Sequence, residues 1–419
     1  MNLVKSWVGS ANVAGCDFPL NNLPCGVFSV GDEDPRCGMA IGDFILDLTS
    51  IEAEGLLRLC DDPVFDVPFW NDLMEQGPAV WAKLRTEVTA FLVEGASKRW
   101  LVEDHLVPIA DARLHMPFLV SEYTDFYAGR HHATNVGSLL RNPENPLPPN
   151  WLHMPIGYNG RASSVVVSGT DVRRPWGQIK PAGSDAPIFA PSNRFDFELE
   201  LGAVVGQSSE GMLSVAAAQA MIFGYVLLND WSARDIQAWE AQPLGPFQAK
   251  ATATTISSWV VMSAALEPFL ASSPQREVPL LPHLVEPGPM LFDISLEVAL
   301  TPDVGQETVL CRTNSSELYF SAPQQLCHHT TSGCPMTVGD LLGSGTISGP
   351  LKSNRGSLLE LSWGGKEPVS ISGGTRNFIE DGDTITLRGT AIGAGYQIGF
   401  GPCTGRVIAA HASPVGAGG

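Results

Sequence analysis

Residues 193–201 read NRFDFELEL, a strict alternation of acidic and apolar side chains. A period of two is the period of a β-strand, so Asp196, Glu198 and Glu200 share one face while Phe197, Leu199 and Leu201 point into a core. Neighbouring carboxylates on that face lie about 6–7 Å apart. Like charges so placed repel unless they face open water or share a cation, and a hard divalent ion held by oxygens meets that need. On this stretch alone a solvated strand face is the better reading, and the remaining residues have to decide.

The rest of the chain continues the β pattern. Of its 419 residues 44% are hydrophobic and 16% charged, which supplies a sizeable core and argues against global disorder. The 43 Gly and 32 Pro favour a turn-rich, mainly β chain over a helical bundle. Further strand patterns occur at 165–168, 225–228, 256–262, 291–300, 358–363 and 384–389. Within 291–300, Phe292, Ile294, Leu296, Val298 and Leu300 share one face, opposite Asp293, Ser295 and Glu297. Two helices interrupt the pattern. One is expected over 79–92, with Val80, Leu84, Val88 and Phe91 on its buried face, Pro78 in the first turn and Gly95 beyond the end. The other is expected over 215–223, with Ser214 as N-cap and Gly224 as stop. Residues 1–117 therefore read as a small barrel-like β unit with helices, and 118–419 as a larger β domain. Pro-rich stretches at 143–155 and 276–289 read as ordered connections or lids.

The formal charge of −19 opposes binding to nucleic acid and to an anionic membrane surface, so neither is an expected partner. An anionic substrate then needs local positive charge, from a metal or from inward-pointing Arg and Lys. No apolar run reaches the roughly 18 residues of a spanning helix. Lys5 and Asp17 interrupt the first 20 residues, and the terminal SPVGAGG carries no retention or peroxisomal address, so a cytoplasmic protein is expected. The eight cysteines form no C-x-x-C pair and read as reduced thiols.

Several further residues carry chemistry. Asp230 closes the apolar run GYVLLND and precedes WSARD, so it sits at a strand end. Asp125 lies among Tyr123, Phe126 and Tyr127, a costly setting for an unpaired charge. Either alone could be a turn or cap residue; with Glu198 and Glu200 they could complete an oxygen cage for Ca²⁺ or Mg²⁺. Of the tandem His131 and His132, at most one faces a site that includes Asp125, and a second tandem pair at His328 and His329 shows that the pattern is not diagnostic. Arg141, Arg234 and Lys250 are candidates for anion recognition; Arg234 and Gln237 fall on one side of a helical turn, though an ordinary salt bridge of Arg234 to Asp230 or Asp235 explains the charge equally well. Glu360, in an apolar segment read as a strand, is either the orienting partner of a histidine or an edge-strand charge.

The segments YTDFYAGRHHATNVG (123–137), NWLHMPIGYNGRASSVVVSGT (150–170), FELEL (197–201), NDWSARDIQAWE (229–240), PLGPF (243–247), GTISG (345–349) and LLELSW (358–363) resemble the fumarylacetoacetase family, as does DFPLNNLPCGVFS at 17–29. The similarity spans nearly the whole chain. It implies an SH3-like barrel over 1–117, a catalytic metal-binding β-sandwich-roll domain over 118–419, and a homodimer. It also implies metal-dependent hydrolysis of a carbon–carbon bond in 4-fumarylacetoacetate to fumarate and acetoacetate, the last step of tyrosine and phenylalanine catabolism. Residue by residue, Asp125, Glu198, Glu200 and Asp230 match calcium ligands; Asp230, Lys250 and Thr254 match a magnesium site. His132 matches the catalytic base and Glu360 its orienting carboxylate. Arg234, Gln237 and Lys250 match groups that stabilise developing negative charge, and Tyr127, Arg141, Tyr158, Gln237 and Thr346 match substrate contacts. Ala241 stands where the family usually has a tyrosine, which puts substrate preference in question. Two other readings stay open: a hydrolase of a different 1,3-diketo acid, and a metal-stabilised interaction protein without catalysis.

Overall fold

The computed structural model describes residues 2–413. Short strands with tight turns build an N-terminal antiparallel sheet in the order Leu106–Pro108, Phe44–Asp47, Arg36–Ile41, Cys25–Val30, Ala112–His115. Val27, Met39, Ile41 and Leu46 pack from this sheet against Leu84 and Val88 of the helix Pro78–Leu92. Pro78 fits that helix start because its missing N–H is one the first turn leaves unbonded anyway. The buried face is Trp81, Leu84, Val88, Phe91 and Leu92 rather than one beginning at Val80, which is only half-buried. Trp81 turns inward because its indole N–H finds the carbonyls of Leu73 and Met74 at the end of the preceding helix.

The eight-stranded central sheet runs Gly157–Asn159, Tyr123–Phe126, Leu341–Gly343, Leu199–Val205, Ile222–Asp230, Thr254–Ile256, Val165–Val167, with Val261–Met262 also paired to Ile222–Asp230. Both faces are covered. Leu201, Ala203, Tyr225 and Leu227 join the larger core, while Val204, Val226, Leu228, Ile256 and Leu341 pack with the N-terminal unit. Burial on two sides is why residues 222–228 read as a continuous apolar run instead of alternating. A third sheet orders Thr308–Asn314, Ser295–Thr301, Thr384–Ile392, Cys403–Ile408 and Val172–Arg173, with Gln397–Gly399 alongside Thr384–Ile392. The architecture is mainly β, an N-terminal unit followed by a larger C-terminal one.

Four expectations from the sequence need correction. The helix read as 215–223 ends at Met221; Ser214 caps it, accepting from the Ala217 N–H, but the chain passes straight into the Ile222–Asp230 strand, so Gly224 is a strand residue and stops nothing. The pattern over 291–300 is split into Leu291–Phe292 and Ser295–Thr301, although the in–out alternation survives the break. The pattern over 256–262 is likewise two pieces, Thr254–Ile256 and Val261–Met262. Residues 358–363 are not a strand: Leu358–Leu361 is a short helix whose N-cap is Ser357. The Pro-rich stretch 143–155 is an ordered connection pinned by Trp151, which is 1% exposed and donates its indole N–H to the Tyr127 carbonyl at 2.9 Å. Among the described residues no helix is long and apolar enough to cross a membrane.

Candidate active site

Strand register gathers the acidic residues. Asp125 pairs across with Tyr158 on one side and Gly343 on the other, and Asp230 pairs with Thr254. Leu199–Val205 lies between the strands of Gly343 and Asp230, so Glu200 reaches the space among them and Glu198 enters just before the strand begins. Asp125, Glu198, Glu200 and Asp230 each present a carboxylate oxygen within 4.8 Å of the others. All four are buried, from 0% to 4% exposed, so the solvated strand face does not hold. Asp196, read as the third member of that face, leaves the cluster: the strand is interrupted at 197–198 and the Asp196 carboxylate turns to Arg234 instead.

Burial and mutual repulsion push the carboxyls of Glu200 and Asp230 well above the usual range and raise that of Asp125, although Lys250 opposes the shift in each. Burial works against ionisation of Glu198 as well, but the charges of Arg234, Lys250 and His132 outweigh it and hold that carboxyl below the usual range. Among the described residues, Asp125 Oδ1, Glu200 Oε1, Asp230 Oδ1 and Thr254 Oγ1 are buried without a hydrogen-bond partner. Unpartnered oxygens on three buried carboxylates of one cluster are what a hard cation satisfies, so the residues present fit a divalent ion. Gly343 is required beside them: a Cβ there would lie 2.9 Å from Glu200 Oε2 and 3.0 Å from Asp125 Oδ1.

The cations of the site are buried with the acids. Lys250 Nζ donates to both Glu198 and Asp230, and burial, which would lower its pKa, is overcome by those two charges. It is therefore an ammonium, without a lone pair for a metal, so its side chain acts as a counter-charge and not as a ligand. Arg234 opens the helix Arg234–Glu240 and spreads over three partners: Nε donates to Asp196 Oδ2 at 2.8 Å, Nη1 donates to Gln237 Oε1 at 3.1 Å, and Nη2 lies 2.7 Å from Glu198 Oε1. The expected juxtaposition of Arg234 with Gln237 on one helix face is present. The alternative surface salt bridge is not, since Arg234 is 6% exposed and Asp235 bonds Ser192 and the Asn193 N–H.

His132 lies on the helix Arg130–Leu140, buried, while His131 faces outward to Glu317. Gly129 precedes this helix because a side chain there would strike the Thr346 carbonyl at 2.1 Å. His132 Nδ1 is 2.7 Å from Glu360 Oε2, and Nε2 is 3.6 Å from Glu198 Oε1. Glu360 also accepts from Asn135 Nδ2 at 2.8 Å, Ser348 Oγ at 2.9 Å and Ser357 Oγ at 2.8 Å. Burial raises the Glu360 carboxyl, yet His132 and the hydrogen bonds from Asn135 and Ser357 bring it below the usual range. An ionised Glu360 accepts a hydrogen bond from Nδ1–H, which turns Nε2 toward the acidic cluster. The Tyr127 ring stands edge-on to His132 at 5.6 Å, with its hydroxyl pushed up to about 12 by burial. Tyr127 OH and Arg141 Nη2 both approach the Ala133 carbonyl at 3.5 Å. Arg141 is itself exposed and bonded to the Pro146 carbonyl at 3.1 Å, and Thr346 Oγ1 is buried without a partner among the described residues.

The sequence reading missed Asn135, Ser348 and Ser357. Two of them left a signal. Asn135 follows His132 by three residues and so shares its helix face, and Ser357-x-x-Glu360 is a helix-start pattern. Ser348 left none.

A buried acidic cluster that could hold a divalent ion lies beside a Glu–His pair on a mainly β scaffold, the constellation of a candidate hydrolytic site. The family model described as Fumarylacetoacetate (FAA) hydrolase C-terminal matches residues 122–408, and the one described as Fumarylacetoacetase N-terminal matches residues 21–117. The chain is 45% identical over 424 residues to the fumarylacetoacetase of Arabidopsis thaliana, covering 97% of this chain and 99% of that one. It is 46% identical over 407 residues to the fumarylacetoacetase of Homo sapiens, covering 94% and 97%. In fold it is similar to the solved fumarylacetoacetate hydrolase of psychrophilic Exiguobacterium antarcticum, at a TM-score of 0.53 and 16% identity, covering 92% of this chain and 99% of that one. The chain belongs to the fumarylacetoacetase family.

Proposed function

We propose that this chain is a metal-dependent hydrolase of the carbon–carbon bond of fumarylacetoacetate, releasing fumarate and acetoacetate as a step of tyrosine catabolism. The observation that carries the reading is His132 held between Glu360 and the rim of a four-carboxylate cage. Family membership with near-complete coverage of its fumarylacetoacetase relatives supports the substrate.

Asp125, Glu198, Glu200 and Asp230 would hold the ion, with Thr254, paired to Asp230, at its edge. An all-protein cage of carboxylates suits Ca²⁺, which takes six to eight oxygens, better than Mg²⁺, which keeps several waters. Bound there, the ion supplies Lewis-acid polarisation and a template for the diketo oxygens.

The chain's own residues do the rest. His132 Nε2 takes a proton from water, which adds to one carbonyl of the 1,3-diketone. Glu360 stabilises the imidazolium that forms and fixes the tautomer beforehand, and such base catalysis contributes about 10²–10⁴-fold. The bond to the carbon between the carbonyls then breaks, and its electron pair leaves as an enolate. The Gln237 amide, the Arg234 guanidinium and the Lys250 ammonium face that developing charge, each such donor being worth on the order of 10²–10³ in rate. The leaving carbanion takes up a proton to give acetoacetate. Tyr127, Arg141, Tyr158 and Thr346 contact the substrate.

The finer architecture is part of the same reading: an SH3-like barrel for the five-stranded N-terminal sheet, a division after residue 117, a homodimer and a cytoplasmic location. The antiparallel order with Cys25–Val30 paired on both sides supports the barrel. The dimer is carried by the family resemblance.

The test is turnover of fumarylacetoacetate by wild type and by His132→Ala. Loss of activity in a variant whose fold and metal binding are intact supports the assignment. Equal activity in the two removes His132 from the reaction.

A further inference from the structure

Asp196 is fully buried and lies outside the four-carboxylate cluster, yet both its oxygens are taken up by hydrogen bonds around the site. Oδ1 accepts from the N–H groups of Phe197 at 2.9 Å and Leu358 at 2.8 Å. Oδ2 accepts from the Leu359 N–H at 3.0 Å and Arg234 Nε at 2.8 Å. Leu358 and Leu359 are the two residues before Glu360, on the short helix that carries it. One carboxylate therefore holds the backbone behind the orienting group of His132 and the guanidinium of Arg234.

The contacts close into a ring. Asp196 holds Arg234; Arg234 Nη2 is 2.7 Å from Glu198; Glu198 is 3.6 Å from His132 Nε2; His132 Nδ1 is 2.7 Å from Glu360; and the Glu360 helix returns to Asp196. A group positioned through several residues far apart in sequence stays in place only while the piece that ties them is rigid. Asp196 ties residues near 196, 234 and 358, which no local sequence contact connects.

We propose that Asp196 is a positioning residue for the reaction: it fixes the Arg234 guanidinium and the Glu360 carboxylate relative to each other, and through them the His132 ring. The carboxylate is suited to this because it offers several acceptor sites and no donor, and every group facing it is an N–H. An asparagine there places an NH₂ against at least one of those donors. The inference rests on the hydrolase reading above and assigns Asp196 no contact with substrate.

The experiment compares Asp196→Asn with wild type on fumarylacetoacetate, alongside Ca²⁺ titration of each protein and the variants Glu360→Gln and Asp196→Asn/Glu360→Gln. The expected result is a kcat lower by about 10–100-fold, with KM and the Ca²⁺ dissociation constant within about threefold of wild type. The double variant is expected to lose less than the product of the single losses, because the two residues act through one ring. An unchanged kcat, a loss of Ca²⁺ affinity matching the loss of kcat, or single losses that multiply would each overturn the proposal. If Asp196→Asn gives no folded protein, Asp196→Glu keeps the charge and shifts it by one methylene, with the same expected split. Failure of both to fold assigns Asp196 to the fold alone and also overturns it. A wild type without turnover sinks the hydrolase reading instead, and that result is read independently of any Asp196 variant.

Discussion

His132 Nδ1 and Glu360 Oε2 meet at 2.7 Å in the protein interior, although 228 residues separate them in the chain. The pair sets which imidazole nitrogen faces the cluster, since an ionised Glu360 accepts a hydrogen bond from Nδ1–H and turns Nε2 toward the acids. Glu360→Gln keeps the size of the group and removes its charge. It is expected to lower kcat by about 10²-fold or more while leaving KM nearly unchanged, because the imidazolium loses its counter-charge only as the reaction proceeds. Steady-state kinetics of the variant check this.

The acidic cage makes metal and proton uptake compete. With Glu200 and Asp230 raised well above the unfolded values of about 4, the metal-free native state holds more protons than the unfolded chain as pH rises past them. The slope of stability with pH is then negative, so this contribution is fully present below the unfolded pKa and lost as pH rises through the folded one. Chelated protein is expected to lose melting temperature as pH rises above the unfolded carboxyl pKa of about 4, while Ca²⁺-loaded protein is expected to lose less. Thermal melts with and without chelator show whether the gap widens with pH.

Gly343 touches the cage with its backbone. Gly343→Ala is expected to weaken Ca²⁺ binding by about 10–100-fold, since its Cβ would displace Glu200 or Asp125. Calorimetric titration measures it, and unaltered affinity would mean the carboxylates there are not ligands.

Lys250 is the ammonium between Glu198 and Asp230. Lys250→Met leaves both acids buried without that cation and is expected to cost about 3–5 kcal/mol of stability in chelated protein, read from denaturant unfolding.

Ala241 follows the Arg234–Glu240 helix and is half-buried beside the exposed Leu244. Ala241→Tyr restores the ring and hydroxyl the family usually has there, and a recovered hydrogen bond worth about 0.5–3 kcal/mol lowers KM for fumarylacetoacetate several-fold or more with kcat little changed. An unchanged KM would place that hydroxyl away from the substrate in this protein.

Much of the cage was legible because strand alternation and strand ends are local signals: FELEL aims Glu198 and Glu200, and the apolar run before Asp230 places it at a strand end. Their burial was not legible, because it depends on Asp125 and Lys250 arriving from distant parts of the chain. Glu360 was put on a strand since LLELSW is apolar enough for one; the Ser357 cap three residues before it decides for helix. Asp196 was grouped with Glu198 and Glu200 by period alone, and the break at 197–198 that turns it toward Arg234 has no periodic signature. Lys250 is legible as a candidate for anion recognition, whereas its metal-site role and Thr254 come from family resemblance alone, and the pairing of Thr254 with Asp230 gives Thr254 a physical place in the site.

The most direct measurement follows loss of the diketone absorbance of fumarylacetoacetate with purified protein, then after chelation, then after adding back Ca²⁺ or Mg²⁺. The account predicts turnover that chelation removes and added metal restores, with Ca²⁺ at least as effective as Mg²⁺. A folded, metal-loaded protein that leaves the absorbance unchanged would contradict it.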